Sequence, residues 1–497
     1  MPIPKEILSV PRPKNTVVTV YGVNKDRFAV RQRVGCIRKN GKNYPVNGPT
    51  VGHIVNGTYV PKPTKERCKV QHADVDIKDW GNIIECDQVA HSLLNDLRNV
   101  YNEIDAQTIY CICILRVCYP GIKDYELKEA YDNSYLSELF PNIPISKNFV
   151  SKFTKDIGKS CSRIFKFMEN RIKNVKIDHH LIVDGTIKTN ESDVNSLSNF
   201  SYKSRLKGTR SISIIYAFDL ENMEPVCSQC FPGNMIDATS YEYFLSSNKI
   251  KKGIIVADKG FPSSCAKKYF KNNPNLHYLN PIKRNSKNIE KLSLYNYEGI
   301  LKEDKNITFC KRFDNKSKKW FYSFRDTTRA MKEEQEYLIK NDKFGTFDDA
   351  SFKEKQKIFG TIILESDMEL DPEVAYKTYE DRWRIELVFR FYKSALEFET
   401  TRVHNDFSVI GTEFFDFIST IITCMLLKKF SECKLLEKMT YKKIMKLLVR
   451  SKQIKLNGID WKLIKLNPSQ ESILQQLGLL DLDGVPLVVK RAEFLCK

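Results

Sequence analysis

Between residues 180 and 281, apolar runs of strand and helix length follow one another in an order that leaves few folds open. An apolar strand ends in Asp184 (His-Leu-Ile-Val-Asp-Gly-Thr). After a polar connection, Ile187 to Arg210, a second strand runs Ser211 to Phe218 and a third Pro225 to Phe231. A helix near Ala238 to Ser247, a strand Gly253 to Ala257 capped by Asp258, a helix Ser263 to Lys271 and a strand Leu276 to Pro281 complete the series β-β-β-α-β-α-β. That order predicts an α/β fold built on a mixed sheet flanked by helices.

The rest of the 497 residues is arranged around this core. Residues 285–366 read as a β-rich insertion: a hairpin-like section (Gly299 to Arg325), a charged helix (Thr327 to Lys343) and a strand (Phe359 to Glu365). Pro372 then opens a long helix, proline being favoured in a first turn. The expected division is a small basic β module over 1–78, a helical DNA-binding region over 79–172, the α/β core over 173–284 plus 367–427, the insertion over 285–366, and a basic helical region over 428–497. The first module carries two Asn-Gly turns, Asn40-Gly41 and Asn56-Gly57, each between strand-like segments. In the second, Tyr125 to Phe140 and Ser146 to Gly158 read as two helices at helix-turn-helix spacing, with Ser146 as N-cap and Phe149, Phe153 and Ile157 on one face.

Charge points to the partner. The chain carries a formal +19, and residues 1–70 hold 14 Lys and Arg against three acids. Such a surplus favours a polyanion, nucleic acid ahead of an acidic membrane surface. The longest apolar stretch, Phe414 to Leu427, contains Asp416, Ser419 and Thr420 and reads as a core helix. No membrane partner is expected, and the protein is placed in the cytoplasm, associated with the nucleoid. The 14 cysteines lie scattered, many in apolar runs, as buried reduced thiols do; Cys227 and Cys230 form a CxxC with no second ligand pair.

The helix after Pro372 holds Tyr379, Arg382, Glu386 and Lys393 at offsets of 0, 3, 7 and 14. At helical pitch all four fall within about 60° of one another, a charged stripe on an otherwise apolar helix. Such a helix is best explained as buried with its stripe facing a cleft. Asp184 and Asp258 each end an apolar strand, where a carboxylate is costly unless something pairs with it. Three converging carboxylates with no His or Cys beside them form a hard oxygen site suited to Mg²⁺, with Mn²⁺ able to substitute. Two such ions about 4 Å apart can activate an attacking water or 3′-hydroxyl and stabilise the leaving oxygen. Tyr379, Arg382 and Lys393 would hold DNA phosphates. Asp219 reads as a turn residue, Asp237 as a helix cap, Asp381 as facing away from the stripe, and His179 and His180 as residues without a ligand partner. Trp320, beside lysines in the insertion, is a candidate for stacking on an unpaired base.

Tyr379, Arg382, Glu386 and Lys393 reproduce a Tyr-x2-Arg-x3-Glu-x6-Lys signature, and the chain resembles the DDE transposases of bacterial and archaeal insertion sequences that carry it. Ile182-Val183-Asp184-Gly185-Thr186 is similar to that family's first-aspartate motif and Val256-Ala257-Asp258-Lys259-Gly260-Phe261 to its second. The resemblance covers roughly residues 180 to 427. It implies a ribonuclease-H-like core with a β-rich insertion between the second aspartate and the glutamate, for which the 128-residue gap from Asp258 to Glu386 has room. It implies a metal-dependent enzyme with Asp184, Asp258 and Glu386 as catalytic metal ligands. That enzyme would bind the ends of its element, cleave them and join the 3′-hydroxyls to target DNA as a homodimer or higher oligomer in a synaptic complex, without a small-molecule cofactor. A catalytically idle DNA-binding remnant and a nuclease of the same fold without strand transfer stay open as alternatives.

Overall fold

The computed structural model describes residues 3–22, 27–39, 41–62, 75–190, 192–201, 204, 208–401 and 403–487. The chain divides into two compact units, Met1–Ala73 and Asp74–Lys497.

The first unit is an antiparallel sheet of four strands in chain order, Thr16–Tyr21, Arg27–Lys39, Lys42–Val55 and Thr58–Pro61. Its core is small, with Val10, Val18, Val30 and Ile54 at its centre. The last two strands are joined through Asn56 and Gly57 at φ 50° and 73°. Asn and Gly tolerate this left-handed region best, and two such residues match the twist of a tight hairpin. Of the other Asn-Gly pair, Gly41 has φ 75° and Asn40 lies outside the described residues.

In the second unit the strand His180–Asn190 is central. It pairs antiparallel with Arg210–Asp219, which pairs antiparallel with Glu224–Pro232. On its other side it runs parallel to Lys252–Ala257, itself parallel to Asn275–Pro281. This is the β-β-β-α-β-α-β order read from the sequence, folded as a mixed sheet flanked by helices. Leu181, Ile182 and Val183 are all fully buried, as consecutive apolar residues are when both faces of a strand are covered. The strands of residues 285–366 extend the same sheet: Thr361–Ser366 pairs with Asn275–Pro281, followed outward by Lys319–Asp326, Ile307–Asp314 and Gly299–Ile300, all antiparallel. The charged helix is Thr327–Phe344, capped by Asp326 and ended by Gly345 at φ 61°.

Helix Asp406–Glu432 is long and apolar enough to cross a membrane, yet 83% of its most apolar window is buried inside the protein. It packs closely on helix Lys147–Lys159: a Cβ at Gly158 would lie 1.7 Å from the Phe407 carbonyl, and one at Gly411 1.9 Å from that of Thr154. Ser146 caps Lys147–Lys159 as expected, its hydroxyl accepting the Phe149 N–H. The helix expected before it is not continuous. Leu127–Asp132 and Leu136–Leu139 are separated where Asn133 and Tyr135 bond the backbone of Asp79, a tertiary contact that overrides local helix preference. Near the other end of the chain, helices Tyr441–Val449 and Pro468–Gln476 flank the strand Lys452–Leu456, which pairs with Val75–Asp79.

Candidate active site

Parallel pairing aligns the two aspartates. Ala257 lies opposite Val183, so Asp258 and Asp184, the next residue in each strand's path, emerge at the same level of the sheet. Both are half-buried. The Oδ1 of Asp184 accepts the Gly185 N–H at 2.8 Å. Burial pushes the Asp184 carboxyl up to about 6; the Gly185 bond and Arg382 oppose the shift, while Asp258 and Asp237 add to it.

The stripe-bearing segment comes in three pieces. Helix Pro372–Glu380 starts at Asp371, whose carboxylate accepts the Glu373 N–H. A tight turn follows, with Arg382 N–H donating to Tyr379 and Arg384 N–H to Asp381. Helix Trp383–Arg390 comes next, then a widened turn, Phe391–Ala395, closed by Leu396 N–H to the Phe391 carbonyl. Arg382 sits where the first two pieces meet. Its guanidinium is 5.7 Å from the Tyr379 ring centre, and its Nη2 is 3.4 Å from Glu386 Oε1. Burial works against its charge, but Tyr379, Asp258, Asp184 and Glu386 together outweigh burial and hold its pKa above the ordinary arginine value. Its Nε is buried with no hydrogen-bond partner. Burial also raises the pKa of the Tyr379 hydroxyl, with Asp258 adding and Arg382 opposing.

Along Trp383–Arg390, Ile385, Val388 and Phe389 are buried while Trp383, Glu386 and Arg390 are exposed on one stripe. Glu386 is therefore an open carboxylate held by Arg382. Lys393 faces elsewhere: it lines a cavity of about 660 Å³ together with Arg116, Lys188, Glu397, Thr401 and Asp416. The tight and widened turns change the phase that a continuous helix would keep, which separates Lys393 from the other three.

Asp237 does not take the helix-cap place expected of it. Helix Asp237–Ser247 has Ile236 in the cap position with no side-chain cap bond, so Asp237 is not the cap. Its carboxylate is buried instead against both aspartate turns: a Cβ at Gly185 would lie 3.4 Å from its Oδ1, and one at Gly260 3.1 Å from its Oδ2. The glycines of Asp184-Gly185 and Asp258-Lys259-Gly260 were the available signal, since each leaves room for that carboxylate.

His179 and His180 do gain acidic partners, because antiparallel pairing brings Asp219 opposite Leu181. The ligand atoms of His179, Asp219 and Glu221 lie within 4.8 Å of one another. Hydrogen bonds engage them: Asp219 accepts from the Glu221 and Asn222 backbones and from Asn222 Nδ2, and its Oδ2 lies 2.8 Å from His179 Nδ1, while Glu221 accepts the His180 N–H and lies 2.7 Å from His180 Nδ1. This cluster is roughly 15 Å from Asp184 along the strand. Cys227 and Cys230 are free thiols three residues apart on the strand Glu224–Pro232, hence on opposite faces. Trp320 packs on the Phe313 ring at 4.9 Å with the Lys311 ammonium 4.7 Å from its centre, so packing already uses the ring proposed for base stacking.

Asp184, Asp258 and Glu386 offer oxygen donors only, the chemistry that Mg²⁺ or Mn²⁺ takes; Asp258 adds to the burial that lifts Asp184, Glu386 is exposed, and among the described residues the three carboxylates are not drawn within 4.8 Å of one another as the His179, Asp219 and Glu221 ligand atoms are. Residues 176–409 match the family described as Transposase DDE domain, a span that includes Asp184, Asp258, Tyr379, Arg382, Glu386 and Lys393. The resemblance to DDE transposases is borne out over that span. Among solved structures the chain is similar to a piggyBac transposase synaptic complex with hairpin DNA, at 12% identity over 70% of this chain and 70% of that one, TM-score 0.39. It is also similar to a Mos1 transposase paired-end complex with left transposon end, at 12% identity over 32% of this chain and 58% of that one, TM-score 0.15. At these scores neither likeness carries the argument. No curated protein matches the chain.

Proposed function

We propose that this chain, whose residues 176–409 carry a transposase DDE domain, is a DNA transposase that binds the ends of its element, cleaves them by phosphodiester hydrolysis and joins the 3′-hydroxyls to target DNA. The observation that carries the reading is Arg382, one guanidinium lying in the field of Asp184, Asp258 and Glu386 on a half-open face. Asp184, Asp258 and Glu386 would hold the catalytic metal ions. Bound Mg²⁺ supplies activation of the attacking oxygen and neutralisation of the leaving one. The protein's own groups position the DNA. Arg382 presents the outer N–H donors of its planar guanidinium to the scissile phosphate, and the Tyr379 hydroxyl donates beside it. Lys393, in the wall of a different cavity, is assigned a phosphate farther from the cut. Asp237, wedged against Gly185 and Gly260, fixes the two turns that carry the aspartates. The assembly would be a homodimer or higher oligomer, since two ends must be brought together, and its setting the cytoplasm at the nucleoid.

The test is purified protein with labelled end DNA, with and without Mg²⁺. Metal-dependent cleavage followed by joined products supports the reading. End binding without cleavage would make the protein an idle remnant, and cleavage without joining would make it a nuclease.

A further inference from the structure

We propose that the outer half of the hairpin Arg27–Lys39 and Lys42–Val55 is a DNA-binding ribbon that lies in a groove of duplex DNA. This rests on the transposase reading and adds a surface outside the DDE domain. From residue 31 to 39 on one strand and 41 to 45 on the other, every described residue is exposed. The backbone ladder nevertheless continues through Arg33 opposite Asn47, Gly35 opposite Val46, Ile37 opposite Tyr44 and Lys39 opposite Lys42. The ribbon thus extends past the small core beneath its base. Val34, Ile37 and Tyr44 are 59%, 50% and 52% exposed. A two-stranded ribbon without a covered face is marginal in water, so a ribbon carrying exposed apolar side chains gains from a partner that covers it.

Charge identifies the partner. Residues 27–62 contain seven Lys and Arg and no Asp or Glu, and Arg31, Arg33, Arg38, Lys39 and Lys42 are on the exposed part. A merely solvated face mixes both signs; a single sign on a narrow projection matches a polyanion. Shape agrees. The major groove of B-DNA, about 12 Å wide, admits a two-stranded ribbon. Nine residues of strand reach roughly 30 Å, close to one turn of the duplex. Register shifts between Val30 and Gly35 break the flat ladder, and such irregularities increase twist, which a ribbon following a groove needs. Arginine and lysine would contact phosphates, with Tyr44 and Ile37 against sugars and base edges.

The experiment uses the full chain and two quadruple variants, Arg33→Ala/Arg38→Ala/Lys39→Ala/Lys42→Ala and the charge-keeping Arg33→Lys/Arg38→Lys/Lys39→Arg/Lys42→Arg. Binding to an element-end duplex and to an unrelated duplex of equal length is measured by anisotropy across salt concentrations, with circular dichroism as the folding check. The alanine variant is expected to bind roughly 10- to 100-fold more weakly near 0.1 M salt. Its slope of log affinity against log salt should be shallower by about 0.9 for each phosphate contact removed, while the charge-keeping variant stays close to the parent. A folded alanine variant with unchanged affinity and slope, in a parent that cleaves its ends, overturns the ribbon proposal alone. A parent that neither binds nor cleaves end DNA overturns the transposase reading and the ribbon with it. Unchanged DNA affinity with a smaller species in solution overturns it in favour of a second copy as occupant, and unchanged DNA affinity with lost binding to anionic vesicles in favour of a membrane surface.

Discussion

Asp184 and Lys188 lie four residues apart on the strand His180–Asn190, on the same face, and are held in opposite ways. Lys188 is fully buried and saturated: its ammonium donates to Glu413 at 2.6 Å and to Asp416 at 2.7 Å. Asp416 also accepts from Arg116 at 2.8 Å, and Glu413 from the Tyr392 hydroxyl. Burial disfavours the Lys188 charge, but Asp416 and Glu413 more than offset it. Asp184 has one oxygen tied to Gly185 and otherwise shares the field of Arg382 with Asp258 and Glu386. Burial and charge alone therefore do not mark a working site. What separates the two is saturation: the Lys188 charge is spent on near partners, whereas Asp184, on the proposed function, is fixed with capacity left for a ligand.

The sharpest way to break this comparison is to change the charge at each of the two sites. Asp184→Asn, Asp258→Asn and Glu386→Gln should each slow end cleavage by at least roughly a thousandfold. End binding should be nearly unchanged, and for Asp184→Asn stability should be equal or higher, because the neutral amide avoids the cost of burying a charge. Any one of them cleaving at near the parent rate with Mg²⁺ would remove the site. Lys188→Met should do the reverse. Leaving Glu413 and Asp416 buried without their cation should cost about 3–5 kcal/mol in urea unfolding, with cleavage per folded molecule retained. A stable but inactive Lys188→Met protein would place the saturated network in the chemistry and end the distinction.

A third carboxylate fits neither case. Glu85, on helix Gly81–Arg98, is fully buried, and neither of its oxygens has a hydrogen-bond partner. Burial pushes it up from 4.5 to about 7, with Lys429 opposing. With the folded pKa above the unfolded one, its contribution to stability is greatest below pH 4.5, falls as pH rises toward 7 and is flat beyond. Glu85→Gln, neutral throughout, should match the parent near pH 4.5 and be more stable at pH 8 by on the order of 3 kcal/mol. Equal stability of the two proteins at pH 8 would show that the Glu85 charge is compensated in the core after all.

What the sequence made legible follows the same division. The strand order and the two aspartates are local features, an apolar run closed by a carboxylate, and pairing then did what strand order requires. The Tyr379, Arg382 and Glu386 grouping is local too and survives a helix break between Glu380 and Trp383. Lys393 depends on helical phase across that break and across the widened turn at Phe391–Ala395, which tertiary packing sets and residue spacing does not reveal. His179 with Asp219, Lys188 with Glu413, and the insertion strands joining the main sheet are pairings between distant segments. Asp237 was readable only as a cap, because its true neighbours, Gly185 and Gly260, come from two other elements.

The tryptophans give the smallest and most discriminating test of saturation. Trp80 is buried, Trp461 packs edge-on against Tyr135 with its Nε1 donating to Glu138, and Trp320 is held between Phe313 and Lys311. Trp383 is 50% exposed, on the same stripe as Glu386 and Arg390. An indole in that position can stack on a base freed near the cut, a contact worth about 1–3 kcal/mol. Trp383→Ala should therefore slow cleavage roughly tenfold while shifting stability by no more than about 0.5 kcal/mol. Trp320→Ala should lose roughly 2–3 kcal/mol of stability and cleave normally per folded molecule. A fluorescent adenine analogue at the terminal nucleotide gives a readout independent of rate: quenched by the parent and by Trp320→Ala, brighter with Trp383→Ala. If instead Trp320→Ala relieves the quenching, the packed ring is the one that meets DNA, and being spent on protein partners does not bar a side chain from the reaction.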